Sequence, residues 1–179
     1  MKKASILFST IITVMLCSCA KEPTPFKDLP NEVNLGASVV YLNGSLAANY
    51  KAEFKYIEIN KIMSYGFFDS ADQVINILGF DWLPLETGNF ELHKDRILYI
   101  KALTNFNQVI SEDLEGYSYK LIDTEDGFFE VSSIDTVQQI VKGRFEAKFK
   151  RTSKNGNKDL GLPKILLFQG VFHERYERL

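Results

Sequence analysis

Few side chains in this sequence suggest chemistry. The only tryptophan, Trp82, stands beside Asp81 in the run Phe80-Asp81-Trp82-Leu83-Pro84. An indole next to a carboxylate, at a strand end or loop closed by proline, supplies what a sugar-stacking platform needs: a flat apolar face and a hydrogen-bonding oxygen. The same run also suits core packing or a plug at a barrel mouth. The two histidines are His93, in an expected surface turn between Leu92 and Lys94, and His173, at the end of an expected strand beside Glu174 and Arg175. Both read as solvated side chains, and no metal site is expected from them. Asp123, Glu125 and Asp126 share one turn, and Glu112, Asp113 and Glu115 form a second group. Loop oxygens of this kind can bind calcium, but neither group has the spacing of a known calcium loop. Turn chemistry and a wet surface account for both. A glycosidase would need two carboxylates about 5 to 10 Å apart across a cleft, and sequence spacing selects no such pair from 23 acids. No nucleophile elbow, phosphate loop or zinc-binding helix motif is present. No catalytic residue and no cofactor is therefore expected.

The cysteines carry the clearest chemistry. Met1, Lys2 and Lys3 precede an apolar run from Ala4 to Leu16. A positive start and a short apolar stretch mark a secretory signal, and the run is shorter than the roughly 20 residues of a membrane span. Leu16-Cys17-Ser18-Cys19 follows. It resembles a lipobox, with a branched apolar residue at −3, small residues at −2 and −1, and then cysteine. The resemblance implies cleavage before Cys19, a diacylglycerol on its thiol and an acyl chain on the new amine. Cys17 is a poor alternative, because Leu16 would be too large at −1. Lys21, Glu22, Pro23 and Pro25 end the apolar pattern at once, which argues against a buried N-terminal helix. Three acyl chains, at about 0.8 kcal/mol per buried CH₂, would make the anchoring effectively permanent. Ala20 follows the cysteine, where an aspartate often retains lipoproteins in the inner membrane, so an outer-membrane location is expected.

Loss of Cys17 with the signal and lipidation of Cys19 leave no free thiol. The exported domain would then hold no disulfide and depend on its core alone. Removing Lys2 and Lys3 with the signal takes the net charge from −2 to −4. A mildly acidic domain argues against nucleic acid as a partner. Roughly 160 mature residues suit one domain, and the 14 Phe and 8 Tyr suit strands.

The elements that must position these residues read as strands. Residues 1–18 are expected to be the signal, 19–36 a lipidated tether with prolines at 23, 25 and 30, and 37–179 a single domain. Ser38 to Leu42 is an expected strand, closed by the turn pair Asn43-Gly44. Further strands are expected within 50–68, with Tyr65-Gly66-Phe67-Phe68 as core, and at 74–80, 88–92 and 96–102. Tyr117 to Ile122 and Phe128 to Ile134 are expected strands joined by Asp123-Thr124-Glu125-Asp126-Gly127, which contains a turn-forming Asp-Gly. From Gln139 to Lys150 the alternation is strict: Val141, Phe145, Ala147 and Phe149 face one side, while Lys142, Arg144, Glu146, Lys148 and Lys150 face the other. That pattern marks an antiparallel strand with one wet face. Gly143 falls on the inner side, as at a bulge or close approach. Ile165 to Phe172 is apolar on both faces, so a central or doubly covered strand is expected. Many short strands, regular turns and no long helix predict an all-β fold, an antiparallel β-sandwich with a small β-barrel as the alternative.

Gly88-Asn89-Phe90-Glu91-Leu92, Gly127-Phe128-Phe129-Glu130-Val131, Ile134-Asp135, Val141-Lys142-Gly143-Arg144-Phe145-Glu146 and Gln169-Gly170-Val171-Phe172 follow one another in order. This order resembles small Bacteroidota lipoproteins carrying a β-sandwich domain of unknown function, over roughly residues 85–173. Phe128, Glu130 and Ser132 replace the usual small and β-branched run, and Arg144 is a further departure. The resemblance implies fold and compartment, and no catalytic residue.

The expectation is a membrane-anchored envelope lipoprotein acting as a non-catalytic binding or assembly module, with a protein or glycan ligand and Trp82 and Asp81 as contact residues. The alternatives are a small envelope hydrolase or glycan-active enzyme, and a carrier with an apolar β cavity.

Overall fold

A computed structural model describes Pro25 and residues 28–47, 50–71, 74–93, 102–111, 114–122, 127–154 and 163–179; for residues 70, 71, 74, 75, 93, 102–111, 114–116, 153 and 154 it describes the backbone alone. Cys19 and the lipobox, the 94–101 segment and the acids Glu112, Asp113, Asp123, Glu125 and Asp126 lie outside the described residues.

The fold is all-β. Among the described residues eleven strands run in chain order: β1 Ala37–Leu42, β2 Ser45–Leu46, β3 Lys51–Ile57, β4 Ile62–Ala71, β5 Val74–Pro84, β6 Gly88–His93, β7 Ala102–Ser111, β8 Leu114–Leu121, β9 Phe128–Asp135, β10 Ile140–Lys154 and β11 Ile165–Arg178. A 3-10 turn, Glu58–Asn60, separates β3 from β4. All eleven strands belong to one hydrogen-bonded sheet, curled into a half-barrel. Pairing is antiparallel except for two short parallel contacts, β3 with β11 and β6 with β7.

The longest strands organise the curl. β11 pairs along one edge with β10. Its other edge takes β1 from Phe168 to His173 and β3 from Tyr176 to Arg178. Leu166 to Phe172 are all buried, as a central strand covered on both faces requires. On β10, Val141, Phe145, Ala147 and Phe149 are buried, matching the alternation in the sequence. Between Asn43 and Gly44, both at positive φ, the chain reverses into β2. Two strands were not legible, the two-residue β2 and β7. In β7, Asn105, Asn107 and Gln108 break any apolar run, yet its backbone bonds β5 on one side and β8 on the other.

The interior is a cluster of aromatic rings. Phe67 lies 4.8 Å from Phe145 and 5.5 Å from Phe54, centroid to centroid. Tyr65 lies 4.6 Å from Phe129, and Phe80 bridges Phe129 and Phe145 at 4.8 and 4.9 Å. Tilted and edge-on pairs at these separations are favourable beyond the area they bury.

Two glycines make room for these rings. At Gly170 a Cβ would stand 2.5 Å from the Phe145 ring, to which its strand is paired. At Gly143 a Cβ would collide with the Glu130 carbonyl and come within 2.6 Å of Phe172. The β9–β10 register shifts between Lys142 and Gly143, so the close approach at Gly143 accompanies a bulge.

Residues from 28 onward lie against the sheet as they lead into β1. Glu32 pairs with Lys142 at 2.8 Å, and the Val33 carbonyl sits 3.1 Å from His173 Nδ1. The Lys142 ammonium holds the Glu32 carboxyl below the usual carboxylate range.

Candidate functional site

Asp81 and Trp82 come together near the end of β5, where a bulge decides which way they face. Phe80 pairs with Tyr65 and Leu83 pairs with Met63, so Asp81 and Trp82 oppose the single residue Ser64. Strict alternation from buried Phe80 would send residue 82 inward and 83 outward. The extra residue reverses this parity, so Leu83 enters the core and Asp81 and Trp82 stay on the outer side, half-buried. Trp82 is left at φ 68°. The left-handed region is uncommon for any non-glycine residue and an outlier for a bulky one, and bulges of this kind usually place glycine there.

The strained residue lines a cleft of about 260 Å³. Ile57, Ile62, Met63 and the indole supply its apolar walls, and Asn60, Ser64 and Asp81 its polar groups. Asn60 belongs to the 3-10 turn, which closes with Lys61 at φ 53° donating its N–H to the Glu58 carbonyl. Ser64 Oγ donates to Asp81 Oδ1, which orients the carboxylate. The volume lies just below that of drug-sized sites and suits one ring-sized group. Asp81 is the only carboxylate among the described residues that line it.

The histidines are not brought together. His93 ends β6 rather than occupying a turn, and β9 and β10 separate that strand from the β11 strand of His173. Among the described residues no group of three or more His, Cys, Asp or Glu could hold a metal.

A second polar arrangement was not legible in the sequence. Ser38 Oγ donates to Glu174 Oε1 at 2.9 Å, joining β1 to β11. Burial pushes the Glu174 carboxyl above its ordinary range, against smaller lowering effects of the Ser38 hydrogen bond and His173. A carboxyl with a raised native pKa binds its proton more tightly folded than unfolded, so stability falls as pH rises through that window. Glu174→Gln is therefore expected to raise the melting temperature at pH 7 and leave it unchanged near pH 4. An equal change at both pH values would mean that the substitution acts through packing and not through charge.

Compared with known proteins, the chain matches no family model, no curated protein and no solved structure.

Proposed function

We propose that this chain is a lipid-anchored envelope module that binds a ring-bearing ligand, a glycan or a ring on a protein partner, in the Trp82 cleft and does no chemistry on it. The observation that carries this reading is the large indole held at positive φ beside an oriented carboxylate in an outer cleft. Strained residues of this kind cluster at ligand sites, where the surrounding structure over-determines them. Among the described residues the cleft holds one carboxylate, where a two-acid glycosidase needs a facing pair. The ring-filled interior argues against a carrier with its ligand inside the sheet. The anchor is Cys19, and Ala20 after it favours the outer membrane. The curl reads best as barrel-like rather than a sandwich, because one hydrogen-bonded sheet holds the described strands and their pairing runs from β11 through β3, β4, β5, β7, β6, β9 and β10 back to β11.

Because Trp82 is the only tryptophan, its emission reports the cleft directly. Titration with soluble peptidoglycan fragments and neutral oligosaccharides is expected to give a saturable shift for at least one class. Trp82→Gly removes left-handed strain of roughly 1–2 kcal/mol but loses the packing of a half-buried ring. Its net stability change is expected within about 1 kcal/mol, with calorimetric binding abolished. A loss of about 3 kcal/mol or more, with no ligand moving the wild-type emission, would make Trp82 a packing residue and sink the reading. The anchor is tested separately by intact mass of membrane-extracted protein. An acylated chain starting at Cys19 is expected, with acyl mass and membrane retention lost in Cys19→Ala. An intact Met1 without lipid would overturn it.

A further inference from the structure

The most exposed large apolar side chains among the described residues are Ile59, 90% exposed, and Val137, 91% exposed. Each occupies the tip of a tight turn, where Gly, Asn, Asp and Ser normally dominate. Ile59 is the middle residue of the 3-10 turn. Val137 lies in the β9–β10 turn, which is held by two backbone N–H bonds to Asp135 Oδ1 at 2.9 and 2.8 Å.

Backbone bonds bring the two tips to the same end of the sheet. On one edge of β11, Leu179 N–H donates to the Tyr56 carbonyl and Glu58 N–H to the Leu179 carbonyl. On the other edge, Tyr176 N–H donates to the Gln139 carbonyl, and Arg175 Nη1 to that of Gln138. The two turns therefore flank one strand end, about two strand spacings or roughly 10 Å apart. Leu179, 59% exposed, lies between them. The Trp82 cleft opens beside this rim, since Ile57, Asn60 and Ile62 border the same 3-10 turn.

We infer that this rim rests in the interfacial layer of a lipid bilayer, with Ile59 and Val137 inserted at the acyl boundary. The inference rests on the lipid-anchor reading: Cys19 stands nine positions before Asp28, so the domain cannot lie more than about 30 Å from its acyl chains. Three apolar side chains fall far short of the roughly 800 Å² per partner that a stable protein interface buries. On a tethered domain, a few inserted side chains are enough to set orientation. Lys61, Arg175 and Arg178 share the rim with Glu58 and Glu177, all exposed. The opposed charges leave apolar insertion as the attraction, with little dependence on anionic lipid. The arrangement would hold the Trp82 cleft at the membrane surface.

The test uses the mature chain from residue 19 with Cys19→Ser, so that no lipid assists. Partitioning onto phosphatidylcholine vesicles is expected, insensitive to salt, and weakened about tenfold or more in the Ile59→Asp/Val137→Asp double variant. A polarity-sensitive fluorophore on Val137→Cys is expected to shift blue and be quenched by spin-labelled lipid. The same fluorophore on Lys150→Cys, ten residues along β10 from its start at Ile140, is expected to stay aqueous. Both tips are solvent-exposed, and an unchanged near-ultraviolet spectrum checks that the variants fold. Equal partitioning by the double variant, equal quenching at residue 150, or a dimer dissolved by the aspartates would each overturn the inference, the last by making the occupant a second copy. Vesicle partitioning does not require Cys19 and intact mass does not require the rim, so failure of one reading is distinguishable from failure of the other.

Discussion

Phe67→Ala is expected to destabilise the protein by about 3–5 kcal/mol, measured as a shift in the urea midpoint at unchanged slope. Phe67 is fully buried and touches the rings of Phe54, Phe80, Phe145 and Phe172. Its truncation removes a large apolar surface and leaves a void that four rigid rings, each fixed by its own strand, close only in part. With native stabilities of about 5–15 kcal/mol, one such substitution takes a large share of the total. If Cys19 is lipidated and Cys17 removed, no disulfide compensates. The result also bears on function. A cost below about 1 kcal/mol would mean a loosely filled interior with room for a guest, and would favour a carrier over a surface-binding module.

Gly143→Ala carries the second large effect. Elsewhere, replacing glycine by alanine stabilises by about 0.4–1 kcal/mol through the unfolded chain. Here the added methyl would meet the Glu130 carbonyl and the Phe172 ring. The nearer obstacle is backbone on the paired strand, so β9 and β10 must separate or slip. Overpacking of this kind costs roughly 1–3 kcal/mol and occasionally more, so a net loss is expected despite the favourable unfolded-state contribution. The Arg144–Glu130 pair, 2.6 Å across the same strands, should loosen with it. Thermal unfolding together with amide exchange along β9 checks the outcome. A variant at least as stable as wild type would mean that the two strands do not approach as closely as the register shift requires.

Much of the fold was legible because burial on one side of a sheet writes itself into period two. β10 is the clearest case: its lysines and aromatics alternate, and burial follows the alternation residue by residue. In β11 the run from Ile165 to Phe172, apolar on both faces but for Gln169, likewise reflects a strand bonded on both edges and covered on both faces. β7 escaped because asparagines and glutamine obscure the pattern, while its place is set by backbone bonds to β5 and β8 that any side chain permits. The candidate site was legible only as a pair of suggestive residue types. Nothing in Phe80-Asp81-Trp82-Leu83-Pro84 states which residue faces the core, since a one-residue slip in pairing exchanges the two faces.

The sequence by itself therefore determined the all-β class, the positions of most strands along the chain, the core face of β10 and the close approach at Gly143. These follow from local periodicity and turn chemistry, which short-range sterics impose on the chain. Only the tertiary structure decided that Asp81 and Trp82 face outward into one cleft, that Ser38 meets Glu174, and that Ile59 and Val137 crown the same strand end. Each depends on which strands become neighbours and where a bulge shifts their register. Those choices are made by packing one aromatic interior from all sides at once, a long-range condition that no single stretch of sequence contains.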